Sequence, residues 1–125
     1  MPSILIVDDD PGIVEACTLF LERAGHQVTG RHSRPAGEEA LEAGAFDLLI
    51  LDVMMDQPDD GLAMAQDLRR KGNTTPILML TSLSKVMGLE YGRDDDVVPV
   101  DAYLEKPVTP GQLVAAVEEL LAAKE

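Results

Sequence analysis

The sequence predicts an α/β protein, a parallel sheet with helices on both faces, from three observations. Short apolar runs recur along the 125 residues, and each is followed by a segment with helical spacing. Hydrophobic residues make up 46% of the chain but aromatic residues only 3%, an aliphatic supply that suits parallel strands covered on both sides. Polar residues follow several of these runs directly, with no hairpin signal between, so the chain must return by right-handed crossovers.

Ser3 to Val7 is a β-branched run that stops at Asp8, Asp9 and Asp10, and it reads as a buried first strand. Asp10 before Pro11 matches a helix cap with proline at the first helical position. Ile13, Val14, Cys17, Leu21 and Ala24 then recur at helical spacing until Gly25 ends the helix. Gln27 to Arg31 is a weaker, partly polar strand, expected at an edge. Ser33 and Pro35 repeat the helix-start signal ahead of Ala40, Leu41 and Gly44.

Asp47 to Leu51 is the most apolar strand candidate and delivers Asp52 at its end. Asp56 to Gly61 reads as a polar loop. Leu62, Ala65 and Leu68 carry a third helix that finishes in Arg69, Arg70, Lys71 and Gly72, where cations suit the helix dipole. Pro76 to Leu80 is a fourth strand ending at Thr81 and Ser82. Asp101 to Leu104 is a short fifth strand just before Lys106, and Thr109 with Pro110 starts the last helix. Between these, Gly88, Gly92, Asp94 to Asp96 and Pro99 interrupt any period, and one short helix plus a loop is expected over Leu83 to Val100.

The chain reads as one domain over residues 1–125, with no effector domain, linker, repeat or low-complexity tract. Its formal net charge of −13 argues against direct nucleic-acid binding, because phosphate contacts need clustered Lys and Arg. No stretch fits a signal peptide or membrane span, so a cytoplasmic protein is expected. The single Cys17 cannot form an internal disulfide and falls on an apolar helical face, as a packed cysteine rather than a nucleophile. His26 and His32 read as ordinary surface residues near the ends of the second strand.

In an open parallel sheet, ligands bind beyond the carboxyl ends of the strands. There the first strand presents Asp8 and Asp9, the third Asp52, the fourth Thr81 and Ser82, and the fifth Lys106. Carboxylates gathered in one crevice repel unless a hard divalent cation sits among them. Mg²⁺, which takes a few carboxylates plus waters and phosphate oxygens, fits better than Ca²⁺. One carboxylate could then attack phosphorus while an ammonium and a small hydroxyl steady the transferred oxygens, roles that suit Asp52, Lys106 and Thr81. Asp10 is read as a helix cap rather than a further ligand, and the acidic run Asp94 to Asp96 as a solvated loop.

ILIVDDD, LLILDVMM, LMLTS and YLEKP, in that order and near that spacing, resemble the receiver domains of bacterial two-component response regulators, of the CheY-like superfamily. The resemblance covers essentially the whole chain. It implies a doubly wound, flavodoxin-like (βα)5 fold with five parallel strands in the order 2-1-3-4-5. It implies that Asp8, Asp9, Asp52 and the Met54 backbone carbonyl hold Mg²⁺, and that Asp52 takes a phosphoryl group from a phosphohistidine. Thr81 and Lys106 would engage that group, and Thr81 and Tyr103 would switch as the signal is read. The implied partners are a sensor histidine kinase or phosphotransfer protein, an unidentified downstream protein and a second copy on phosphorylation. Neither nucleic acid nor membrane is a direct partner, and the domain acts only on itself.

The chain departs from the family pattern at Asp56, where many receivers carry proline, and the loop after it is one residue longer. The stretch from Thr81 to Lys106 is also longer, in the region that family members use for partner contact. Met54 and Leu83 occupy positions that tune attack of water on the aspartyl phosphate. Both are apolar, so a persistent phosphoryl state is expected.

A Mg²⁺-dependent phosphohydrolase with an aspartyl-phosphate intermediate shares this logic, but it needs a general-acid carboxylate and a cap. Met54 stands two residues after Asp52, and Asp56 is the only awkward candidate acid. A nucleotide or flavin module is disfavoured because neither G-x-G-x-x-G nor G-x-x-x-x-G-K-[ST] follows the first strand.

Overall fold

The computed structural model describes residues 2–52, 60–81, 101–105 and 108–124. In chain order the elements are β1 (Ser3–Val7), α1 (Pro11–Arg23), β2 (Gln27–Arg31), α2 (Arg34–Ala43), β3 (Leu48–Asp52), α3 (Asp60–Arg70), β4 (Ile77–Thr81), β5 (Ala102–Glu105) and α4 (Pro110–Lys124). The described strands pair in parallel in the order β2-β1-β3-β4-β5. Expectations for Leu83 to Val100 and for Asp56 to Asp59 fall outside the described residues. Asp60 and Gly61, expected in a loop, instead form the first turn of α3.

Strand periodicity divides the core in two. Leu5, Val7, Leu49, Leu51, Ile77 and Met79 face one side, where Ala40 of α2 and Met64, Ala65 and Leu68 of α3 cover them. Ile4, Ile6, Leu48, Ile50, Leu78 and Leu80 face the other, against Val14, Cys17 and Leu21 of α1 and Leu113 and Val117 of α4. β1 and β3 are central and must be apolar on both faces, which is why their runs lack polar alternation. β2 lies at the edge and both its end residues are exposed.

Close packing of α2 on β1 depends on Gly37. A Cβ built there would lie 2.7 Å from Val7 Cγ2, so any larger residue would push the helix off the strand that carries Asp8. Cys17 is buried in the α1 face, as its neighbours in the sequence indicate.

Each of the last three strands begins one residue later than its apolar run suggests. Asp47 precedes β3 and its carboxylate accepts the Ser3 amide at 2.8 Å, while its own amide donates to the Ser3 carbonyl at 2.7 Å. Asp101 precedes β5 and accepts the Ile77 amide at 2.8 Å. Pro76, without an N–H, stays outside β4 and offers its carbonyl to the Leu49 amide at 2.9 Å.

His26 is a correction. It is only 6% exposed, not a surface residue. Gly25, at φ 99°, closes α1 with the Gly25 amide on the Glu22 carbonyl and the His26 amide on the Leu21 carbonyl. This left-handed turn folds His26 back under the helix end, where its Nε2 lies 3.7 Å from Glu118 of α4. His32 is exposed, as expected.

Candidate functional site

The parallel register assembles the acidic cluster. β1 and β3 are aligned from Ile4↔Leu48 to Val7↔Leu51, so Asp8, the next residue, lies alongside Asp52. Both are buried, Asp8 completely and Asp52 at 6% exposure, whereas Asp9 is exposed. One carboxylate oxygen from each of Asp8, Asp9 and Asp52 lies within 4.8 Å of the other two.

Local structure on either side fixes Asp8. Its amide donates to the Arg31 carbonyl at 3.1 Å, extending the β1–β2 ladder past the last strand residue. Its Oδ1 accepts the Asp10 amide at 3.0 Å. Asp10 in turn caps α1, with its Oδ1 accepting from Gly12 N at 2.9 Å and Ile13 N at 3.4 Å. Asp10 is not one of the three converging acids, in keeping with its reading as a cap.

Asp52 pairs with Leu80 across β3 and β4, so Thr81 is one residue further along the neighbouring strand at the same end of the sheet. Tyr103 lies on β5 opposite Met79, and Thr81 is opposite Glu105. Met54, Leu83 and Lys106 fall outside the described residues. The contact that sequence reasoning did not anticipate is the Asp10 amide on Asp8. The Asp-Pro helix-start pattern marked the cap but not what the cap's own amide would meet.

Three hard oxygen donors converging from a mostly buried crevice suit an oxygen-seeking divalent cation, which offsets their mutual repulsion. Two clefts elsewhere, one of about 330 Å³ between α2 and the end of α3 and one of about 460 Å³ beside His26 and Ser3, are not lined by these acids. A site for a single ion has no need of an enclosed apolar cavity. No helix of the described residues is long and apolar enough to cross a membrane.

Comparison with known proteins agrees with the geometry. A family model described as the response regulator receiver domain matches residues 4–118. The chain is 39% identical over 124 residues to protein PetR of Rhodobacter capsulatus, covering 96% of this chain and 48% of that protein. It is 39% identical over 130 residues to the alkaline phosphatase synthesis transcriptional regulatory protein PhoP of Bacillus subtilis, covering 98% of this chain and 50% of that protein. The chain thus spans about half the length of these curated relatives. Among solved structures, a putative response regulator from Chloroflexus aurantiacus matches with TM-score 0.84 at 31% identity, covering 97% of this chain and 98% of that one. The Vibrio cholerae chemotaxis response regulator CheY4 matches with TM-score 0.81 at 26% identity, covering 96% and 98%.

Proposed function

The chain belongs to the response regulator receiver domain family, and from that premise we propose that Asp52 is the phosphoacceptor of a two-component phosphorelay. The observation that carries the reading is the convergence of Asp8, Asp9 and Asp52 at the carboxyl end of a parallel sheet. Family membership supplies the donor class, a phosphohistidine on a sensor histidine kinase or phosphotransfer protein.

In this reading an Asp52 carboxylate oxygen attacks phosphorus. The new O–P bond forms as the P–N bond to the donor imidazole breaks, and the electron pair returns to that nitrogen. Asp8, Asp9, Asp52 and the Met54 carbonyl would hold Mg²⁺. When bound, the ion neutralises the carboxylates and the oxygens of the transferred group. Thr81 donates its hydroxyl to that group, Lys106 pairs with it, and Tyr103 changes rotamer with Thr81 as the partner-binding face is reset. Phosphorylation then alters the balance between two conformations and hence the affinity for a downstream protein or a second copy.

The finer fold within this reading is the doubly wound, flavodoxin-like (βα)5 arrangement, with residues 1–125 as one receiver domain. The domain acts as a signalling module in the cytoplasm, and its own chemistry is limited to gaining and losing one phosphoryl group. With Met54 and Leu83 both apolar, the phosphoryl state persists.

Incubation with Mg²⁺ and a small phosphodonor, read by intact mass, tests the assignment. The wild-type chain is expected to gain one phosphoryl group and Asp52→Asn none. Equal incorporation in both would remove Asp52 as the acceptor.

A further inference from the structure

We infer that Asp10 is a positioning residue for the acidic pocket: by capping α1 it holds its own backbone amide against Asp8 and so fixes how that carboxylate meets a divalent cation. The inference rests on the magnesium reading of the cluster.

Asp10 is held from three sides. Its backbone is extended, with φ −94° and ψ 107°. Its Oδ1 accepts from Gly12 N and Ile13 N, and its carbonyl accepts from Val14 N at 3.2 Å. Gly12 keeps that carboxylate clear, since a Cβ there would stand 3.2 Å from Asp10 Oδ1. A residue so constrained presents its amide in one direction, and that amide donates to Asp8 Oδ1 at 3.0 Å. On the other side the Asp8 amide is tied to the Arg31 carbonyl of β2.

Asp8 therefore sits between a strand ladder and a helix cap, and its carboxylate loses rotational freedom before any cation arrives. Outer groups that orient a metal-binding side chain typically change affinity by 10- to 100-fold when removed. Asp10 acts through its capping oxygen and its amide. Its negative charge is not the active feature, because its carboxylate is engaged by the helix amides and stands apart from the three converging acids.

The charge and the cap can be separated. Asp10→Asn and Asp10→Ala both remove the charge, but only Asn keeps an oxygen that caps. Mg²⁺ titration of the whole chain by calorimetry is expected to show Asp10→Asn binding about tenfold more tightly than Asp10→Ala. Asp10→Gly removes the same oxygen at little cost to the helix start, so it serves if the alanine variant does not fold, and it is expected to bind Mg²⁺ more weakly than Asp10→Asn. Ser33→Ala removes the cap of α2, where Ser33 Oγ accepts from Ala36 N, and is expected to match wild type.

Equal affinities for the Asn variant and either uncapped variant would overturn the inference, as would a loss in Ser33→Ala as large as that in Asp10→Ala. Asp52→Asn distinguishes the two levels of the argument. If it binds Mg²⁺ as well as wild type, the magnesium reading fails and this inference with it. If it binds weakly while the Asp10 variants are alike, only the inference fails.

Discussion

The two ends of the sheet both carry aspartates, and they use them in opposite ways. At the amino end, Asp47 accepts the first amide of β1 and Asp101 accepts the first amide of β4, the latter also meeting Arg69 at 3.1 Å. These carboxylates complete a ladder that would otherwise begin with an unpaired donor. At the carboxyl end, Asp8, Asp9 and Asp52 turn their oxygens toward one another. The same residue type at the same kind of position thus stabilises at one end and strains at the other. What differs is that Asp47 and Asp101 each meet an amide of the neighbouring strand, whereas Asp8, Asp9 and Asp52 also face one another.

The sharpest break in that comparison comes from Asp52→Asn, which is expected to abolish phosphoryl incorporation while leaving the far-ultraviolet circular dichroism unchanged. At the other end, Asp47→Ala is expected to cost about 2 kcal/mol of stability in urea unfolding, since a charged acceptor is withdrawn from the Ser3 amide. It should still take up phosphate when folded. Asp8→Asn should move stability in the other direction, a gain of about 1 kcal/mol or more in chelator as like-charge repulsion at this spacing is relieved. The increase in melting temperature that Mg²⁺ gives wild type should shrink in the same variant. The smallest effect belongs to Asp101→Ala, about 1 kcal/mol, because Asp101 is more exposed than Asp47 and solvent weakens both its bond from the Ile77 amide and its pair with Arg69. A destabilised Asp8→Asn in chelator, or a stabilised Asp47→Ala, would erase the distinction between the two ends.

The sequence made the carboxyl end easier to read than the amino end. Apolar runs that stop abruptly at Asp8 and Asp52 mark strands whose ends carry the acidic cluster, and Asp10-Pro11 and Ser33-x-Pro35 mark the helices that follow. The amino end gave no such signal. Asp47 and Asp101 looked like strand residues because nothing in a linear pattern says that a side chain will take a hydrogen bond from the neighbouring strand's amide. His26 was misread for a related reason. Its burial follows from a left-handed turn at Gly25 and from Glu118, which is distant in sequence and reaches it only when α4 packs beside α1. Asp60 and Gly61 read as loop because polar and glycine residues favour turns, yet α3 begins at Asp60. The strands bearing Thr81 and Tyr103 were legible, while the roles given to those residues rest on family membership.

The Val7↔Leu51 pairing has a consequence for synthesis. β1 emerges first but finds its central partner only after α1, β2 and α2 have been made, so the acidic crevice closes across a long stretch of chain. A nascent polypeptide that stops short of β3 carries Asp8 and Asp9 with no third carboxylate opposite them. The three-acid crevice therefore exists only once β3 has entered the ladder beside β1.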